Sequence, residues 1–182
     1  MRIIAGKHKS RKLETLEGNN TRPMMDVMKE SVFNTIGPYF EDIEILDLFG
    51  GSGALSLEAI SRGAKHSIII DLSREAVKVI TNNVKSLHEE ESVTILNTDY
   101  KIALKKLEGK QFDLIFLDPP YRLNIVNELL QYLDEHNMMK EGTIIVCHYV
   151  KGNAKIDPNF KLIKNYARGT AEVAIYEKIS ME

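Results

Sequence analysis

From Ile43 onward, short apolar runs alternate with stretches whose apolar residues recur at helical spacing. Glu44-Ile45-Leu46-Asp47-Leu48 reads as a strand that ends in Phe49-Gly50-Gly51-Ser52-Gly53. A helix follows through Leu55, Leu57, Ala59 and Ile60, and Arg62-Gly63 stops it. The strand runs Ser67–Asp71, Val93–Leu96, Phe112–Leu117 and Thr143–Cys147 come next. Between them lie helical faces carried by Ala76, Ile80, Val84 and Leu87, then Ile102, Leu104 and Leu107, then Val126, Leu129, Leu130 and Leu133. Strands apolar on both faces and separated by amphipathic helices require a parallel sheet covered on both sides. After Gly152 the pattern changes. Phe160–Ile163 and Ala171–Tyr176 are strands with no long helix between them, which predicts an antiparallel pair at one side of the sheet. Before Ile43, Met25, Met28, Val32, Phe33 and Ile36 mark a further amphipathic helix closed by Gly37-Pro38. The pattern predicts a doubly wound, mostly parallel α/β sheet of Rossmann-like type, with an antiparallel C-terminal strand pair and a small N-terminal extension. Residues 1–40 read as a basic extension with its helix, and 41–182 as one α/β domain.

Composition narrows this little. The chain has 182 residues, 43% hydrophobic and 27% charged, ample for one core. No apolar run approaches the roughly 20 residues that span a bilayer, and the N-terminus carries no signal-peptide pattern. A single cysteine, Cys147, excludes an intramolecular disulfide framework and a cysteine-based zinc site within one chain, and it suits a cytoplasmic protein. Charge is more telling in its distribution than in its sum of −2: residues 1–22 carry +4 and the remainder −6. A basic arm on an acidic body is a local signal for polyanion contact, although a solvated terminus would carry the same charges.

Ligands of doubly wound sheets bind at the carboxyl ends of the strands, near the switch point. Gly50, Gly51 and Gly53 stand just after the first strand, where backbone must turn tightly and admit a ligand. The helix-start amides beyond them suit an anionic group. Asp71 ends the second strand about 20 residues on, where an acid accepts hydrogen bonds from ribose hydroxyls. Asp99, after the third strand, is placed to lie beside a bound adenine ring. Asp47, an acid within a strand, needs a partner if buried. Together these predict a site for an adenosine-type cofactor, formed by Asp47, Phe49, Gly50, Gly51, Ser52, Gly53, Asp71, Leu72, Asp99 and Tyr100. A ligand-free turn would also satisfy the glycines, and Ser56 stands where a dinucleotide fingerprint would have its third glycine, which disfavours a nicotinamide-dependent oxidoreductase.

The fourth strand runs directly into Asp118-Pro119-Pro120-Tyr121. Prolines cannot continue the ladder, and a bare turn would account for them. It would not account for an acid, proline carbonyls and an aromatic ring at the ligand end of the sheet. An exocyclic amino group of a base is a poor nucleophile because its lone pair is delocalised into the ring. A carboxylate and a proline carbonyl that accept both N–H hydrogens would favour a tetrahedral nitrogen aimed at a sulfonium methyl. Stacking on Tyr121 would hold the base, once swung out of any helix. Asp118, Pro119, Pro120 and Tyr121 are therefore the candidate catalytic residues.

These elements resemble the RsmD family. The matching segments are Asp47-Leu48-Phe49-Gly50-Gly51-Ser52-Gly53-Ala54-Leu55, Glu58-Ala59-Ile60-Ser61-Arg62-Gly63-Ala64 and Asp118-Pro119-Pro120-Tyr121. Arg2-Ile3-Ile4-Ala5-Gly6, Arg11-Lys12-Leu13, Thr21-Arg22-Pro23 and Lys29-Glu30-Ser31-Val32-Phe33-Asn34 match as well. The resemblance implies a Rossmann-like methyltransferase that uses S-adenosylmethionine and methylates guanine N2 in 16S rRNA. It implies that Asp47, Gly51 and Gly53 line the cofactor site, that Asp71 binds ribose, and that Asp118 and Tyr121 handle the base. It implies that Arg2, Lys7, Arg11 and Arg22 contact rRNA in the small subunit or its assembly intermediate. A cytoplasmic monomer, with no metal and no membrane partner, fits this picture. The chain departs from the family at Met24, Met25 and Val27, where threonines and an arginine are usual, at Asp71, where Glu is common, and at Arg168-Gly169-Thr170. An adenine-N6 or cytosine-N4 methyltransferase, and an rRNA-binding assembly factor without turnover, are the alternative functions. Cys147 and His148 are adjacent on a strand, so they face opposite ways and cannot form a nucleophile–base pair. The histidines show no metal-ligand spacing. The run Glu89-Glu90-Glu91 reads as a solvated loop.

Overall fold

The computed structural model describes residues 1–16, 23–120, 123–154 and 157–180. In chain order the elements are α1 (Pro23–Ile36), β1 (Glu44–Asp47), α2 (Ala54–Ser61), β2 (His66–Asp71), α3 (Arg74–Ser86) and a single 3-10 turn (Glu90–Ser92). There follow β3 (Val93–Asn97), α4 (Tyr100–Leu107), β4 (Phe112–Leu117), α5 (Val126–Glu135), β5 (Met139–Val150), β6 (Phe160–Arg168) and β7 (Ala171–Lys178). The seven strands form one sheet in the order β3-β2-β1-β4-β5-β7-β6. Pairing is parallel from β3 to β5 and antiparallel for β5–β7 and β7–β6. The fold class and the C-terminal antiparallel pair are thus as the pattern predicts. The last three strands run longer than their apolar cores suggest, because β5 and β7 pair over seven successive residues from Ile144 to Val150.

Alternation along the strands sorts side chains into two layers. Leu46, Ile68, Ile70, Ile115, Leu117, Ile145 and Cys147 pack under α4 and α5. Ile45, Leu114, Phe116, Val146, Val173 and Ile175 pack under α1 and α2. Ile69 joins a third cluster with Leu57 of α2 and Ile80 and Val84 of α3. Not every expected inward residue points in. Ile102 is exposed, and α4 buries Ala103 and Leu104 instead.

Residues 1–16 lie against this body. Ile3 and Leu13 are buried in the cluster with Leu57, Ile69 and Ile80, and the Ile3 amide donates to the Arg11 carbonyl. Gly6 passes so close to α2 that a Cβ there would lie 1.9 Å from the Ser61 carbonyl oxygen. Glu58, fully buried on α2, is the anchor. Its carboxylate accepts from the amides of Ile4 and Ala5, from Lys29 Nζ at 3.1 Å and from Arg62 Nε at 2.8 Å. Burial alone would raise its pKa, but those amides and the two buried cations outweigh this and hold it below the usual carboxylate value.

Candidate active site

The strand order reverses between β1 and β4, and both segments singled out in the sequence leave the sheet there. After β1 the chain turns through Gly51 (φ 61°) and Gly53 (φ 81°), a left-handed pair that side chains rarely adopt. The two approaches differ in kind. A Cβ on Gly50 would meet Ile69 Cγ2 at 2.3 Å, so that glycine serves packing. A Cβ on Gly51 would meet nothing within 4 Å, so its bare backbone borders open space. The Gly51 amide donates to Asp71 Oδ2 at 2.9 Å, and Ser73 N donates to Oδ1. Gly53 caps α2 and, having no side chain, offers no capping acceptor to its first amides. Asn83, a buried residue of α3 to which the sequence reading gave no role, fastens the loop from behind by donating to the Ser52 and Glu14 carbonyls.

The other members of the predicted cofactor set surround this loop. Phe49 and Tyr100 are in ring contact, with centroids 5.3 Å apart. Leu72, next to Asp71, is 68% exposed, unusual for a leucine at a strand end. Asn97 ties the Asp71 and Leu72 carbonyls to β3. Asp99 caps α4 through Lys101 N, so its carboxylate has a structural duty as well.

Asp47 is 2% exposed, and its carboxylate accepts from Ser56 Oγ at 2.6 Å, with Ser67 Oγ behind it. Its pKa is pushed up to about 7, chiefly by burial. The Ser56 hydrogen bond opposes the shift, and the negative fields of Asp118 and Asp71 add to it. Three carboxylates thus converge at the switch point. Open backbone at Gly51, an exposed Leu72 and this acidic cluster suit a ligand with an apolar ring, hydroxyls and positive charge. The residues fit S-adenosylmethionine, whose sulfonium and ammonium outweigh its single carboxylate.

Asp118 follows β4 directly, with Pro119 buried beside it. Its Oδ1 lies 2.7 Å from His148 Nδ1, an interaction the sequence reading did not foresee. The signal lay in the register, which pairs Leu117 with Cys147 and so places the next residue of each strand side by side. A small cleft lined by Pro119, Pro120, Asn124 and His148 adjoins this pair. Tyr121 and Arg22 lie outside the described residues.

Of the basic residues, Lys7 is paired with Glu89 Oε1 at 2.8 Å, Arg11 donates to the Ser86 carbonyl, and Arg2 donates to the Ser10 carbonyl. Glu89 is therefore no part of a solvated loop. It is buried, and although burial would raise its pKa, Lys7 and His8 hold it low. Among the described residues no helix is long and apolar enough to cross a membrane, and no group of three His, Cys, Asp or Glu residues is placed to hold a metal.

Sheet order, glycine turn and acid–proline segment together define the fold of the S-adenosylmethionine-dependent methyltransferases, which the chain shares with solved structures of that class. The chain belongs to the family described as conserved hypothetical protein 95, whose model matches residues 1–177. It is 37% identical to YlbH of Bacillus subtilis, over 98% of this chain and 99% of that protein. It is 33% identical to the ribosomal RNA small subunit methyltransferase D of Haemophilus influenzae, over 97% of this chain and 93% of that one. The solved structure of yhhF from Escherichia coli superposes with a TM-score of 0.88 at 26% identity, covering 100% of this chain and 99% of that one.

Proposed function

We propose that this chain transfers a methyl group from S-adenosylmethionine to the exocyclic N2 amino nitrogen of a guanine in 16S rRNA. The observation that carries the amino acceptor is Asp118, held at the switch point directly before two prolines and within reach of the Asp47 field. The small-subunit rRNA substrate is supported by the relative named ribosomal RNA small subunit methyltransferase D. Guanine N2 is supported by the family resemblance.

When bound, the cofactor supplies a methyl group on a positively charged sulfur. Phe49, Gly50, Gly51, Ser52 and Gly53 would cradle its amino-acid end, and Asp71 its ribose. Leu72, Asp99 and Tyr100 would border the adenine, while Asp47 offers a buried counter-charge. Asp118 and the Pro119 carbonyl would accept the two amino hydrogens, and Pro120 fixes the turn. Tyr121 would stack on the base, an interaction worth about 1–3 kcal/mol. Transfer forms the nitrogen–methyl bond, breaks the methyl–sulfur bond and leaves one proton to depart from nitrogen. Asp118, as the acceptor of that N–H, stands where the proton must go. Residues 1–40, with Arg2, Lys7, Arg11 and Arg22, would meet rRNA phosphates while residues 41–182 do the chemistry, in a cytoplasmic monomer acting on the subunit or its assembly intermediate.

Nucleoside mass spectrometry of 16S rRNA from cells with and without the gene tests this. Loss of N2-methylguanosine is expected. Loss of a methyladenosine, or of nothing, would overturn the substrate.

A further inference from the structure

We propose that His148 is a positioning residue that orients Asp118 toward the acceptor amino group, an inference that rests on the role of Asp118 given above. Register and alternation bring the two together. Leu117 and Cys147 are Cα partners in β4 and β5, and both face the α4–α5 layer. The residues that follow them, Asp118 and His148, therefore turn together to the opposite face. The contact is close, 2.7 Å from Nδ1 to Oδ1, with the histidine side chain wholly buried and Asp118 15% exposed. The imidazole stands behind the carboxylate and the solvent lies in front.

Val146 and Val173, the neighbours of His148 along β5 and across on β7, are apolar. A buried imidazole costs free energy unless it is hydrogen-bonded. A carboxylate only accepts, so His148 donates from Nδ1. This donation has a geometric effect. The terminal torsion of an aspartate is broad and two-fold, and Asp118 interacts electrostatically with the nearby Asp47. The His148 N–H engages Oδ1 and so restricts the orientation of the Asp118 carboxylate beside the cleft that His148 lines. β5 is itself held between β4 and β7, so the donor is on a rigid element.

The test uses the full chain with 16S rRNA as substrate. His148→Phe, which keeps a ring and removes the donor, should lower kcat by up to about 100-fold. KM for rRNA and the cofactor Kd by calorimetry should stay within about twofold of wild type, the scatter expected of a change that spares binding. His148→Asn, which restores an N–H near the Nδ1 position, should recover most of the loss. Added to Asp118→Ala, His148→Phe should reduce the residual rate no further. Wild-type kcat in His148→Phe, no rescue by asparagine, or an equal further loss without Asp118 would each overturn the proposal. If Asp118→Ala itself keeps the wild-type rate, the amino-acceptor reading fails. If Asp118→Ala abolishes transfer while His148→Phe does not, only the histidine inference fails. Long-range nitrogen–proton NMR of the wild-type chain needs no variant to fold. It should show His148 as the Nδ1–H tautomer, and an Nε2–H tautomer would overturn the proposal.

Discussion

Asp47→Asn should make the cofactor-free protein more stable, and increasingly so as pH rises. The folded-state pKa of Asp47, about 7, lies above its ordinary value of 3.8. The folded state therefore keeps a proton that the unfolded chain has already released. Stability from this group is full below about pH 3.8 and is lost as pH rises through about 7. From 3.8 to about 7, at ~1.36 kcal/mol per unit, the total is roughly 4 kcal/mol. About half of it, ~2 kcal/mol, falls between pH 5.5 and pH 9. Asparagine keeps an acceptor for Ser56 Oγ and has no charge to bury. Urea denaturation of both proteins without cofactor, at those two pH values and constant ionic strength, isolates the effect, because other titrations cancel in the difference. The advantage of Asp47→Asn should be larger at pH 9 than at pH 5.5 by about 2 kcal/mol. The variant should also bind S-adenosylmethionine more weakly, having lost a buried counter-charge. A stability difference that is flat with pH, or grows toward acid, would refute the reasoning.

Other perturbations separate structure from binding. Gly50→Ala drives a methyl group into Ile69 and should cost about 1–3 kcal/mol in stability. Gly51→Ala meets no protein atom and should cost only about 1 kcal/mol of backbone strain, yet calorimetry should show a marked loss of cofactor affinity. The reverse ranking would remove Gly51 from the cradle. Glu58→Ala leaves Lys29 and Arg62 buried without their carboxylate and should cost about 3–5 kcal/mol by urea denaturation. Because the folded pKa of Glu58 is depressed, its contribution is present above the ordinary value of 4.5 and is lost as pH falls through the lower folded value. Charge reversal at exposed Lys9 and Arg11, which spares the Lys7–Glu89 pair, should weaken rRNA binding and flatten its salt dependence. An unaltered salt slope would remove the arm from the interface.

The sequence by itself determined the layers of this protein. Short apolar runs mark the seven strands and period-3.6 patterning the helices between them, and strands apolar on both faces must be buried on both. The glycine turn and the acid before two prolines were legible for the same reason, since both are local solutions to leaving a strand end. Tertiary structure decided which distant residues meet. Nothing in a glutamate triplet distinguishes Glu89, which is buried against Lys7, from Glu90 and Glu91. Nor does the pattern distinguish Glu58, a solvent-like residue in an amphipathic helix, from the buried anchor of the N-terminal segment. The chemistry of Asp118 was visible locally, but its partner was not. A one-residue slip of β5 against β4 would turn His148 to the other layer. Register depends on the whole sheet closing at once, and that information is not written in any single strand.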